Sequence, residues 1–372
     1  MSTAAARVLA LAGELIRVPS ATVAGEVRCA ELVAGWLADA GLAVELVPFG
    51  ADGGRRNVVA RLAGRGDRPI CLSGHVDVVP ADAAAWSRDP WDGAVQDDAL
   101  HGRGACDMKG AVAAIVVAAQ AWSTVDPDVR PPLLVVLSGG EETGCMGAKA
   151  LADAGALEPA QVLIVPEPTS GVPLLGHRGG LWLQAELHGR PAHASAPHLG
   201  HSAVRDAAAA ILALDEIAHE TDALLGPSTL SVGRIAGGVA VNVVPDRCLL
   251  DIDVRILPGE TAAQWQERLR PALPADAQLR TMFEMPAVRS DPAAPGLRRA
   301  VAALGLDAPT GAAAYITDAS VLAAALDAPA LIWGPGDLDQ AHAIDERVSV
   351  PALLDLTQRL VALPERWAAA QP

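Results

Sequence analysis

Three short runs, Ile70–Ser73, Leu133–Ser138 and Val162–Val165, are apolar along nearly their whole length and show no alternation of wet and dry residues. A strand of that kind has no face for water, so it must lie in a sheet covered on both sides. That requirement selects an α/β architecture with helices on both faces. The helices are legible in the flanking segments. Apolar residues at helical spacing cover about Ala4–Arg17 and Glu26–Ala40, with Pro19-Ser20 and Gly41 as stops, and Lys109–Trp122 reads as a third helix. Further strands are expected at Ala43–Pro48 and Val58–Leu62.

Near His177 the pattern changes. Leu181, Leu183, Ala185 and Leu187 alternate with Trp182, Gln184, Glu186 and His188, and Leu250, Ile252, Val254 and Ile256 alternate with Asp251, Asp253 and Arg255. Strands of this kind bury one face only. With helices expected over about His201–His219 and Thr261–Leu269, the segment reads as an α+β sandwich inserted into the first domain. The α/β pattern resumes with Leu297–Leu304, Ser320–Leu326 and Ala330–Trp333. A chain of 372 residues is longer than one hydrophobic core comfortably serves. The expected division is 1–176 and 288–372 for the α/β domain and 177–287 for the insertion.

A net charge of −16 with no basic patch argues against nucleic acid as a partner. The apolar stretch Ala111–Ala119 is interrupted by Gln120 and too short for a membrane span, and the N-terminal residues lack the features of a signal peptide. A cytoplasmic protein without membrane association is expected. Cys29, Cys71, Cys106, Cys145 and Cys248 are scattered, without CxxC spacing, and read as reduced core residues.

Acidic and imidazole groups gather where the apolar runs end. His75 and Asp77 follow Ile70–Ser73, Glu141-Glu142 follow Leu133–Ser138, and Glu167 follows Val162–Val165; Asp107 opens the third helix and His342 follows the last strand. Open α/β sheets bind ligands at the C-terminal edge of their strands. An imidazole, a carboxylate able to bridge, a double glutamate and a late histidine are the ligands that two divalent cations need, and zinc accepts this nitrogen and oxygen mixture. Other readings of each residue stand beside this one. His75 could be a strand-end histidine bonded to a carboxylate, Asp107 a helix cap, and Glu141-Glu142 a solvated acidic turn. Asp77, two residues after His75, could orient the ring by accepting its second N–H.

Taken together, Leu72–Pro80, Trp86–Trp91 leading into Gly102–Gly110, Ser138–Ala148, Val165–Thr169, Gly189–Ser195, Gly237-Gly238 with Asn242 and Pro245, Arg255, and Gly334–His342 resemble one family. It is the family of dinuclear zinc deacylases and exopeptidases that includes acetylornithine deacetylase, succinyl-diaminopimelate desuccinylase and glutamate carboxypeptidase. The resemblance runs from about Leu15 to Pro351 and is strongest to the acetylornithine deacetylases. It implies a zinc-exopeptidase-like catalytic domain, a mixed sheet between helices, with the insertion serving as lid and dimerisation domain.

By that resemblance His75 and Glu167 bind one Zn2+, Glu142 and His342 bind a second, and Asp107 bridges them after a cis peptide on its C-terminal side; Co2+ can substitute. Glu141 would be the general base toward the metal-bridging water, Asp77 the partner of His75, and His193 an oxyanion donor that reaches a neighbouring chain, hence a homodimer. Arg255, Asn242, Gly237 and Gly238 would grip a substrate α-carboxylate, although an ion pair of Arg255 with Asp251 or Asp253 is an alternative. Tyr315, Thr317 and Asp318 lie in a stretch similar to the Tyr-Gly-Thr-Glu-Ala of acetylornithine deacetylases, with Ile316 for glycine and Asp318 for glutamate. The implied reaction removes an N-acyl group from a small α-amino acid, with desuccinylase or carboxypeptidase activity as the rival.

Overall fold

Six strands form the central sheet of the structure, a computed structural model that describes residues 3–370. β1 (Ala43–Phe49), β2 (Arg55–Leu62), β3 (Ile70–His75), β4 (Leu133–Ser138), β5 (Val162–Val165) and the short strand Ala330–Ile332 lie in the order β1-β2-β4-β3-β5-Ala330–Ile332. The two outer pairings, β1 with β2 and β2 with β4, are antiparallel; β4, β3, β5 and the last strand run parallel. Every residue of β3, β4 and β5 is buried, as their unbroken apolarity requires. The parallel strands bring their C-terminal ends to one edge, so the residues that follow β3, β4 and β5 meet there although they are far apart in sequence.

Helix α1 (Thr3–Ile16) and the C-terminal helix Val350–Ala369 pack on α3 (Gly110–Ser123), which lies against β3 and β4. α2 (Val23–Asp39) packs on β1 and β2, and α4 (Met146–Asp153) pairs with the helix Ala319–Ala325. Ala105–Ser123 is apolar and long enough to cross a membrane by composition, yet 83% of that stretch is buried inside the protein, which makes it a core helix.

The chain divides into two compact units. The first runs to Gly176 and resumes over Arg289–Ala313 and from Thr317 onward; the second is His177–Val288 with Ala314–Ile316. In the second, β6 (Gly179–His188), β7 (Thr229–Gly237), β8 (Arg247–Ile256) and β9 (Gln278–Met285) form an antiparallel sheet in the order β7-β8-β6-β9. The inward residues of β6 and β8 form one core with α5 (Ala203–Leu214) and α6 (Ala262–Leu269). α6 opens with a reciprocal capping box between Thr261 and Gln264. The expected helix over 201–219 stops at Leu214. Tyr315, placed by sequence in the second part of the catalytic domain, belongs to the second unit. Ile316 packs against Gly180 there, where a Cβ would come within 2.5 Å of its side chain.

Candidate metal centre

His75 ends β3 with its ring buried. Its Nδ1 donates to the Asp77 carbonyl at 3.0 Å, and its Nε2 faces Asp107 Oδ1 at 3.0 Å and Glu167 Oε1 at 3.9 Å. Asp107 reaches the other way as well, with Oδ2 3.4 Å from His342 Nε2. That nitrogen lies 3.0 and 2.9 Å from the two carboxylate oxygens of Glu142. Ligand atoms of His75, Asp107 and Glu142 all fall within 4.8 Å of one another. Asp107 is therefore the carboxylate between two imidazoles, each with a further glutamate beside it. The peptide from Asp107 to Met108 is cis, in a segment whose backbone departs from helical angles at both residues.

The electrostatics of this cluster are those of an anionic cavity. Asp77, Asp107, Glu141, Glu142, Glu167 and Asp318 converge near His75 and His342, and none of these carboxylates is paired with lysine or arginine among the described residues. Burial, helped by neighbouring carboxylates and opposed by His75, pushes Glu141 and Glu167 well above the usual carboxylate range. Burial alone would lower His75, but the Asp107 hydrogen bond and the surrounding carboxylates outweigh it and raise the imidazole well above its ordinary value. Hydrogen bonds to Asp107 and Glu142 push His342 up to about 10. Burial works upward on Asp107 too, yet the bonds from His342 and His75 win and hold it below its usual range. All of these upward shifts express the surplus of buried negative charge. Two imidazole nitrogens and several buried, otherwise unneutralised carboxylates are a donor set that fits divalent first-row ions.

Asp77 plays a part other than the one its spacing suggested. Its carboxylate is 3.7 Å from His75 Nδ1, too far for a hydrogen bond, and instead accepts the backbone N–H groups of Glu141 and Glu142, each at 3.1 Å. The ring of His75 is oriented by the Asp77 carbonyl. Three further residues can be placed. Arg255 is engaged by Asp253 through two bonds of 2.9 and 3.2 Å, the ion-pair alternative; Trp182 holds the same carboxylate. Thr317 is fully buried and its hydroxyl accepts the Ala319 N–H at the start of a helix. Asp107 is not a helix cap, since α3 begins at Gly110 without a side-chain cap.

Asp318 is buried, accepts a bond from Ser138 Oγ, and lies with Cys145 and Glu141 in a second close group. Burial raises its carboxyl to about 6. In the second unit, His193 Nδ1 lies 3.1 Å from the Ser195 backbone N and 2.6 Å from Ser195 Oγ. Asn242 is exposed, and its carbonyl accepts the Ala194 N–H at 3.0 Å. Gly237 is a position of close packing against Cys248 and Arg247, whereas Gly238 adopts a left-handed φ of +81°.

Two ion pairs that frame the cluster, one part-buried and one buried, went unread in the sequence. Glu26 and Arg55 join through two bonds beneath Gly139 and Gly140, just before the double glutamate. Arg103 and Glu346 join beneath the Asp107 loop. The partners are 29 and 243 positions apart, and no spacing rule connects them. A cavity of about 240 Å³ beside Asp77 and Glu142, lined also by Ser20, Thr22, Glu26 and Arg55, leads to the cluster. A larger one of about 860 Å³, near Trp333 and Arg347, contains none of the clustered side chains.

Residues 71–366 match the sequence profile of Peptidase family M20/M25/M40. Acetylornithine deacetylase of Edwardsiella ictaluri (strain 93-146) is 33% identical over 362 residues, covering 89% of each chain. Among solved structures, aminopeptidase PepT from Bacillus cereus ATCC 10987 superposes with a TM-score of 0.81 at 21% identity, over 98% of this chain and 99% of the other. The Bacillus subtilis YXEP protein, described as a dinuclear metal binding peptidase from the M20 family, gives 0.74 at 16% identity over 99% of each.

Proposed function

The chain belongs to Peptidase family M20/M25/M40 and is a hydrolase of amides, and from that premise we propose that it removes the acyl group from a small N-acyl-α-amino acid, with N-acetylornithine as the leading substrate. The observation that carries this reading is the Asp107 carboxylate set between His75 and His342, each with a glutamate at its side. The whole-length identity to an acetylornithine deacetylase supports the choice of substrate class. His75, Glu167, Asp107, Glu142 and His342 are the residues that would hold two divalent ions, zinc in the leading case. Such ions, when bound, polarise a carbonyl and make water a nucleophile at neutral pH.

The protein's own groups do the rest. Glu141, fixed through its N–H by Asp77, takes the proton of the attacking water and returns it to the departing amine. His193, carried over from the family resemblance and supplied by a neighbouring copy, is the donor to the developing oxyanion. The same reading includes a cytoplasmic homodimer joined through the second unit and a place in arginine biosynthesis. The test is a panel of N-acetylornithine, other N-acetyl amino acids, N-succinyl-diaminopimelate and small peptides, with and without zinc or cobalt. Metal-dependent release of acetate from N-acetylornithine at the highest kcat/KM is the expected result. Preference for the succinyl substrate or for peptides would replace this substrate assignment, and inactivity across the panel would remove the reaction class.

A further inference from the structure

The loop that carries Asp107 cannot hold itself. Between Gly104 and Asp107 the chain begins a helical turn that breaks at once, with φ/ψ of −125°/94° at Asp107 and −134°/33° at Met108. The N–H groups of Gly104, Cys106 and Asp107 therefore need acceptors from elsewhere. All three find the same one. Glu346, wholly buried, accepts from Gly104 N at 3.0 Å through Oε2 and from Cys106 N at 2.8 Å and Asp107 N at 3.0 Å through Oε1.

Its charge is matched by Arg103, whose Nη1 donates to Oε2 at 2.6 Å and whose Nη2 donates to the carbonyl of His342 at 3.3 Å. Arg103 is itself buried, with its guanidinium 5.2 Å over the ring of Trp86. One pair thus grips the backbone of Asp107 from one side and that of His342 from the other. His342 sits at a left-handed φ of +63°, a conformation that a non-glycine residue keeps only when its surroundings hold it.

We propose that Arg103 and Glu346 are positioning residues that fix the separation of Asp107 and His342, and so set the affinity of the ion held on the His342 side. This rests on the two-ion reading of the cluster. Charge-assisted bonds to backbone N–H groups are the strong kind, and an isosteric amide cannot replace them, because its NH2 would face an N–H or the guanidinium. Outer partners of metal-binding side chains typically change affinity by about 10–100-fold when removed.

The experiment is a zinc titration of chelator-stripped protein by calorimetry, with the visible spectrum of the cobalt-loaded form as a second readout, on the wild type, E346Q and R103K. The wild type is expected to bind two equivalents. E346Q is expected to weaken one of the two constants by about 10–100-fold and leave the other nearly unchanged, with an altered cobalt spectrum and a lower kcat at saturating metal but little change in KM. R103K, which keeps the charge but cannot span both Glu346 and the His342 carbonyl, should weaken the same step, and it carries the test if E346Q does not fold. Two unchanged constants and an unchanged spectrum in folded variants would overturn the proposal, as would a loss of melting temperature with the ratio of the two constants preserved. A wild type that binds no metal would instead overturn the two-ion reading beneath it.

Discussion

Replacing Asp77 by asparagine separates two roles that its position allows. If the carboxylate served to orient His75, D77N would loosen the ion on the His75 side. In the structure that task falls to the Asp77 carbonyl, which the substitution retains, while the carboxylate holds the N–H groups of Glu141 and Glu142 at 3.1 Å each. An asparagine side chain can accept only one of them through its amide oxygen. The other meets an NH2 group, so one charge-assisted bond, about 1.5–3 kcal/mol, is lost and a buried N–H is orphaned for about 1–3 kcal/mol more. About 3 kcal/mol realised in the reacting geometry is roughly a hundredfold in kcat/KM. Steady-state kinetics at saturating metal, paired with metal titration, should show that loss, with binding weakened on the Glu142 side and intact on the His75 side. Wild-type kinetics combined with selective loss of the His75-side ion would refute the assignment.

E141Q should lower kcat by about 10²–10⁴-fold, the usual worth of a positioned proton-transfer group, while two metal equivalents still bind; activity within about tenfold of wild type would remove Glu141 from that role. After chelation, stability should fall as pH rises. His342 is raised to about 10 by Asp107 and Glu142, so its contribution is complete below its unfolded value of 6.5 and lost through about 10. Asp318, raised by burial to about 6, adds a loss as pH climbs from 3.8. Zinc displaces these protons, so the melting temperature it restores should be larger at about pH 8 than at about pH 6, and a pH-independent increment would contradict the electrostatics. G139A would place a Cβ 2.3 Å from Glu26 Oε1 and disturb its part-buried pair with Arg55, costing about 1.5–3 kcal/mol in urea denaturation; an unchanged midpoint would show that the pair can shift freely.

The interior of this fold is plain in the sequence because burial there is uniform. β3, β4 and β5 are apolar at almost every position, and the groups that follow them were readable as a cluster for the same reason. The edge strands of the second unit were not. β7 alternates only weakly and breaks register between Val232 and Arg234, and β9 does so between Thr281 and Phe283, which blurs the period of two. The C-terminal helix Val350–Ala369 was also missed; it contains Pro364, which interrupts the expected pattern. In the site, residue types were legible but their hydrogen-bond partners were not. The motif named Asp77 without revealing which of its atoms serves His75, and nothing local to Gly102–Gly110 pointed across the chain to Glu346.

Anomalous scattering from crystals of the zinc-loaded enzyme, recorded on both sides of the zinc edge, tests the two-ion reading most directly. Two peaks are expected, one beside His75 and Glu167, the other beside Glu142 and His342, with the Asp107 carboxylate between them. A single peak, or zinc lodged among Glu141, Cys145 and Asp318 instead, would contradict it.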